Sequence, residues 1–229
     1  MGDLFKLLLA IVSASLLISC TPNVSDIKDV SIESIEYISY LSKRLGPYSR
    51  GAAVKITSFD YSGGKISGTG AYVTHKGEHY IVTAAHVVRY SPSALIDGTN
   101  ERIIAEVVFT DVRTDVAVLS IAGMSSREPV KWKVSKDVDI GTDVVYSGYP
   151  NMIGLLTIEG YVVGYSSHYF AIHSYAWGGA SGSLVLDSRG RAVGVVSAVE
   201  VGMGIVGYPT IIEDIVLVAP AEYLEVFFK

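Results

Sequence analysis

The chain has 229 residues, 49% of them hydrophobic and only 18% charged, with a formal net charge of −5. That length allows one large or two small domains with a sizeable core, and the acidic balance excludes the basic footprint of a nucleic-acid binder. The 23 glycines beside so few charges fit short strands joined by turns better than long surface helices.

The single cysteine, Cys20, rules out an intramolecular disulfide and a thiolate metal cluster. The five histidines form no H-E-x-x-H pattern, so a zinc peptidase has no support, and neither metal nor cofactor is predicted. Leu4 to Ile18 is apolar apart from Lys6 and small serines, a stretch of about 15 residues. It is short for a membrane span, which needs roughly 20, and suits the core of a signal peptide. It ends in Leu17-Ile18-Ser19-Cys20, which resembles a bacterial lipobox, where the cysteine is acylated and acyl chains supply the buried methylenes of an anchor. Residues 1–20 therefore read as a signal peptide ending at a lipidation site, Cys20. The chain is expected to be exported and anchored in a membrane of the cell envelope; a conventional signal peptide or an uncleaved anchor is the alternative.

Residues 21–46 read as a linker followed by an amphipathic helix. Thr21 to Asp26 is polar and contains Pro22. Ile35, Ile38, Leu41 and Leu45 then recur at helical spacing, which predicts a helix over 28–45 stopped by Gly46-Pro47. From Gly51 the texture changes to short alternating runs separated by turn signals, the mark of an all-β barrel or sandwich. Strands are predicted at 52–56, 66–73, 79–83, 102–110 and 116–121, with 123–131 as a connection. Further strands are predicted at 132–134, 144–147, 156–165, 169–172, 183–186, 192–199 and 215–218. Pro220 then opens a short helix containing Tyr223, Leu224 and Phe227.

Three stretches carry chemistry. Val82-Thr83-Ala84-Ala85-His86-Val87-Val88 sets a histidine where a strand ends. Arg113-Thr114-Asp115-Val116-Ala117-Val118-Leu119 sets an aspartate at the start of an apolar strand. Gly178-Gly179-Ala180-Ser181-Gly182-Ser183 encloses a serine in small residues, which let a backbone turn sharply and let a substrate come close. A hydroxyl is a weak nucleophile and needs a neighbouring base, and free main-chain N–H groups can face a developing negative charge.

Together the three stretches resemble the trypsin-like serine peptidases of chymotrypsin fold, in the chain order His, Asp, Ser, most of all the bacterial HtrA (Deg) branch. No PDZ-sized extension follows the last strand, although that branch usually has one. The resemblance implies an all-β peptidase domain over 47–229, built from two six-stranded antiparallel β-barrels, the first about 50–122 and the second about 130–219. It implies His86 as the base, Asp115 as the group that orients it, Ser181 as the nucleophile and the N–H groups of Gly179 and Ser181 as the oxyanion hole. Asp111 competes with Asp115 but precedes a loop and reads as a turn residue; His75 and His79 read as surface residues.

The nucleophile loop departs from the usual G-[ND]-S-G-G. Ala180 stands where digestive relatives carry an acidic residue that pairs with a newly cut N-terminus, so that activation route is not expected. Ser183 replaces a glycine next to the nucleophile. Tyr175 stands where trypsin has an aspartate, which argues against cleavage after Arg or Lys. Tyr175, Ser197, Ala198 and Val199 are the expected substrate-binding residues, with an apolar wall suited to small or medium aliphatic side chains. The implied function is a serine endopeptidase acting on proteins or peptides through an acyl-enzyme; the alternative is a catalytically silent domain of the same fold that binds a surface partner or unfolded chains. The G-x-S-x-G elbow of α/β-hydrolases does not account for the serine loop, which lacks the second glycine.

Overall fold

The computed structural model describes residues 43–203 and 209–229, the side chains of 199–213 excepted. The leader with Cys20 and residues 21–42 lie outside the described residues. The chain is helical over 43–52 (α1), straight through Gly46-Pro47, so the expected stop there is overturned. The proline ring already holds a helical φ, and its missing N–H costs at most one intrahelical bond. Leu45 and Ala52 are buried in the core, which offsets a glycine cost of roughly 1 kcal/mol.

Two hairpins follow. β1 (Ala53–Phe59), β2 (Lys65–His75) and β3 (Glu78–Thr83) pair in series. The Asp60 carboxylate accepts the N–H groups of Ser62 and Gly64 and so shapes the first turn. Lys76 and Gly77, at φ 50 and 88, make the second, a two-residue loop of the kind that matches strand twist. After a four-residue helix α2 (Ala85–Val88) come β4 (Ser93–Asp97), β5 (Arg102–Asp111) and β6 (Val116–Ile121). Along β5 the outward residues Arg102, Ile104, Glu106, Val108 and Thr110 alternate with covered ones, the period-2 pattern of a half-buried strand. The order β1-β4-β5-β6-β3-β2, with β2 paired back to β1, closes a six-stranded barrel.

The connection continues the first barrel before it opens the second. β7 (Val130–Lys131) adds to β2 in parallel, and the Trp132 N–H donates to the Thr74 carbonyl at 2.9 Å. Trp132 belongs to the first core, and Val134 makes only an isolated bridge to Ala192. The expected strand 132–134 of the second barrel is therefore not formed. That barrel comprises β8 (Asp143–Gly148), β9 (Leu156–Tyr165), β10 (Phe170–His173), β11 (Leu184–Asp187), β12 (Ala192–Met203) and β13 (Pro209–Pro220). It closes in the order β10-β13-β12-β11-β8-β9. A 3₁₀ turn, Ala221–Leu224, ends the series.

Ile56, Ile81, Ile96 and Leu119 fill the first barrel without exposure, and Tyr146, Val162, Ile172 and Val218 fill the second. Each such side chain contributes roughly 1.5–3 kcal/mol of hydrophobic burial. Among the described residues no helix is long and apolar enough to cross a membrane. The barrels meet where the Thr69 N–H of β2 donates to the Ser181 carbonyl at 2.8 Å.

Candidate active site

His86 sits in the first turn of α2, where the chain leaves β3. Its N–H donates to Asp115 Oδ1 at 2.9 Å, and its Nδ1 lies 2.8 Å from Oδ2 and 3.1 Å from Oδ1 of the same carboxylate. A carboxylate only accepts, so Nδ1 carries a proton, and in the neutral imidazole Nε2 then keeps a free lone pair. Asp115 holds a left-handed backbone, φ 57, immediately before β6. That conformation is costly for a residue with a Cβ, though aspartate tolerates it better than most. The Ser197 hydroxyl also donates to Asp115 Oδ2. Burial acts to raise the Asp115 pKa, but the hydrogen bonds from His86 and Ser197 outweigh it and hold the carboxyl below its ordinary range. Asp111 takes a different part: its carboxylate accepts the Arg113 N–H at 2.9 Å and shapes the loop before Asp115.

Ser181 lies in the loop between β10 and β11, half-buried. Its hydroxyl donates to the Ser197 carbonyl at 3.3 Å rather than to the His86 ring. Gly179 and Gly182 take φ 96 and 91, so glycine is required at both positions. A Cβ on Gly182 would run into the Thr69 carbonyl oxygen and the Thr83 hydroxyl.

The peptide units carrying the N–H groups of Gly179 and Ser181 are both held from their carbonyl side. The Gly178 carbonyl accepts the Asn151 N–H at 2.6 Å. The Ala180 carbonyl accepts the Ser183 N–H at 3.0 Å and the Ser183 hydroxyl at 2.7 Å. In a trans peptide N–H and C=O point oppositely, so both N–H groups face away from these anchors. Neither meets an acceptor among the described residues. Between them, the Gly179 carbonyl accepts the Thr69 hydroxyl at 2.7 Å, and that oxygen accepts the Tyr149 N–H at 3.0 Å.

The expected substrate-binding residues divide. Ser197 is buried and turns its hydroxyl to Asp115, so only its backbone is left to meet a substrate. Ala198 is exposed on β12; Val199 pairs with Val216 through its backbone, and its side chain is outside the described residues. Tyr175 is half-exposed with its ring 6.0 Å from that of Trp177. Beneath it the buried Tyr146 hydroxyl donates to the Tyr175 carbonyl, and burial pushes the Tyr146 pKa up so that it stays a donor. His79 is not a free surface residue: it is partly covered and its Nδ1 lies 2.6 Å from the Tyr72 hydroxyl. Sequence reasoning passed over Thr69, Tyr149 and Asn151. One signal was present, since glycines flanking Thr69 inside a strand mark a close backbone approach; a Cβ at Gly68 would lie 3.1 Å from the Ser181 carbonyl. No group of three or more His, Cys, Asp or Glu among the described residues is placed to hold a metal ion.

Comparison with known proteins bears on the family and the fold. A family model described as a trypsin-like peptidase domain matches residues 68–195, more than half of the chain. No curated protein sequence matches. Among solved structures, the Rv3671c protease from M. tuberculosis in its active form superposes with a TM-score of 0.65 at 22% identity, over 82% of this chain and 84% of that one. The HtrA-type protease AlgW with a tripeptide gives a TM-score of 0.64 at 19% identity, over 82% of this chain. This chain spans only 62% of AlgW.

Proposed function

The chain belongs to the trypsin-like peptidase family, and on that premise we propose that it is an exported serine endopeptidase that cleaves proteins or peptides through an acyl-enzyme. The observation that carries the reading is the His86–Asp115 pair, in which the carboxylate holds Nδ1 and leaves Nε2 free to act as the base. His86 takes the Ser181 proton as Oγ attacks the substrate carbonyl. The imidazolium that forms is stabilised by Asp115. The Gly179 and Ser181 N–H groups receive the oxyanion, an interaction whose loss typically costs about 10²–10³ in kcat per donor. His86 then returns the proton to the leaving amine, and water releases the acyl group by the same steps in reverse. The half-exposed Tyr175 offers no carboxylate to a basic side chain, and the apolar Ala198 and Val199 of β12 favour an aliphatic residue of small to medium size at the cleaved position.

One observation favours the second reading, a silent binding domain: the Ser181 hydroxyl rests on the Ser197 carbonyl and not on His86. Loose catalytic contacts are common before substrate binds. Labelling of the full chain with a fluorophosphonate probe decides between the two. Strong labelling, absent in Ser181→Ala and His86→Ala, is expected; a folded wild-type protein that stays unlabelled supports the binding domain instead.

The leader supplies the location. Export through residues 1–20 and acylation of Cys20 would tether the domain to a membrane of the envelope. In a bacterial host, Cys20→Ser in the full chain should move the protein from the detergent-soluble membrane fraction to the aqueous one. An unchanged partition would show that the uncleaved leader, and not an acyl group on Cys20, holds the protein in the membrane.

A further inference from the structure

We propose that the hydroxyls of Ser183 and Thr69 are positioning groups that keep the oxyanion hole assembled from within the domain, without a cut N-terminus or a second protein. The role rests on the serine-peptidase reading above. It starts from two side chains with no exposure at all, each spending its hydroxyl on a carbonyl of the nucleophile loop. Ser183 holds the carbonyl of the very peptide unit that carries the Ser181 N–H. Thr69 holds the next carbonyl upstream, that of Gly179, and is itself fixed by the Tyr149 N–H and by the Thr83 hydroxyl on its own carbonyl.

The alternative state of the loop is easily defined. Turning the Ala180–Ser181 unit by half a revolution would swing the Ser181 N–H out of the site. It would also take from the buried Ser183 N–H and hydroxyl the one acceptor they share, and buried polar groups without partners are strongly disfavoured. Gly148 leaves the space that the Ser183 hydroxyl fills, because a Cβ there would run into Ser183 Oγ and lie 3.1 Å from Thr69 Oγ1. The assembled loop is thus the arrangement in which both hydroxyls and both carbonyls are satisfied at once. Ala180, 1% exposed and uncharged, offers nothing for a distant ammonium group to hold. A neutral clamp on the neighbouring carbonyl does that work locally. Neither hydroxyl touches the substrate, so their effect falls on the transition state, where the negative charge develops, and not on binding.

The test compares Ser183→Ala, Thr69→Val and Thr69→Ser with the wild-type full chain, with no activator added. Hydrolysis of p-nitrophenyl butyrate is followed to separate kcat from KM, with Ser181→Ala as the blank, alongside the rate of fluorophosphonate labelling. The expected result is a kcat lower by about tenfold or more in Ser183→Ala and Thr69→Val, with KM within about twofold. Thr69→Ser, which keeps the hydroxyl, should return to within about threefold of wild type. Unchanged kcat in the two hydroxyl-free variants would overturn the clamp. So would parallel loss of kcat and KM that Thr69→Ser fails to rescue, since that is the behaviour of a packing residue. If Ser183→Ala does not fold, the Thr69 pair alone decides. A wild-type protein that neither labels nor hydrolyses the ester removes the peptidase reading and the clamp with it; a reactive wild type with equally reactive variants removes the clamp alone.

Discussion

Asp115 shows how much one residue can be asked to do. Its left-handed backbone turns a single carboxylate to the His86 N–H, the His86 ring and the Ser197 hydroxyl. Replacing it with asparagine would keep the shape but present an amide that can donate to Nδ1. The imidazole would then hold its proton on Nε2, where it cannot accept one from Ser181. Asp115→Asn is therefore expected to lower kcat for ester hydrolysis by about 10⁴-fold with little change in KM. A loss smaller than about tenfold would mean that the carboxylate does not set the tautomer. The same contacts fix a sign in pH. Because the folded pKa is lowered, the stabilisation they bring is complete above the unfolded value and disappears as pH falls through the folded one. The aspartate was legible because a polar residue opening an apolar strand is conspicuous. Ser197 was expected to meet substrate through its backbone, and its hydroxyl's bond to Asp115 was not legible, since a sequence gives a strand residue's position but not which polar neighbour its hydroxyl will choose.

At the scale of elements, what could be read depended on whether local pattern and tertiary need agreed. β5 declares itself by its β-branched pairs Ile103-Ile104 and Val107-Val108, although its alternation shows only in burial, since Ile104 and Val108 face outward. β4 is five residues long, follows Ser91-Pro92 and runs into Asp97-Gly98, so its flanks are those of a loop and only Ala94-Leu95-Ile96 is apolar. It becomes a strand because the barrel needs a partner between β1 and β5, and Ala94 and Ile96 fill the interior. Gly46-Pro47 in α1 is the opposite case: a local stop signal overruled by packing, with Leu45 and Ala52 on either side of it buried in the core. β7 escaped notice because two residues have no period. The nucleophile loop was legible as a serine among glycines, yet its anchors were not. Asn151, at φ 50, reaches the Gly178 carbonyl from a turn 27 positions earlier, and no spacing rule connects the two. The contribution of Ser183 was hidden for another reason: whether a serine in place of glycine obstructs a loop or secures it depends on the cavity that Gly148 leaves.

For the whole molecule, the decisive fact is that the site is shared. His86 and Asp115 come from the first barrel, Ser181 and Ser197 from the second, so whatever holds the barrels in register holds the chemistry. Beyond the direct seam at Thr69, the chain provides a strap. After β13 completes the second barrel, the chain returns to the first and lays Leu224, Phe227 and Phe228 on its core. Phe228 packs with its ring centroid 4.5 Å from Trp132 and 5.5 Å from Tyr80, and Phe227 meets Tyr80 edge-on at 5.4 Å. Phe228 is 6% exposed, so its removal both forfeits transfer energy and leaves a cavity. Phe228→Ala should cost about 3–5 kcal/mol. For a domain of this size each kcal/mol lowers Tm by about 2–4 °C, so the melting point should fall by roughly 6–20 °C. Fluorophosphonate labelling well below the melting range should stay near the wild-type rate, because the strap lies on the core and not on the serine loop. Thermal inactivation of that labelling should move down together with the calorimetric transition. A melting point unchanged by the substitution would show that the barrels hold each other without the strap; early loss of labelling in a variant that still melts normally would mean that the strap acts on the site itself.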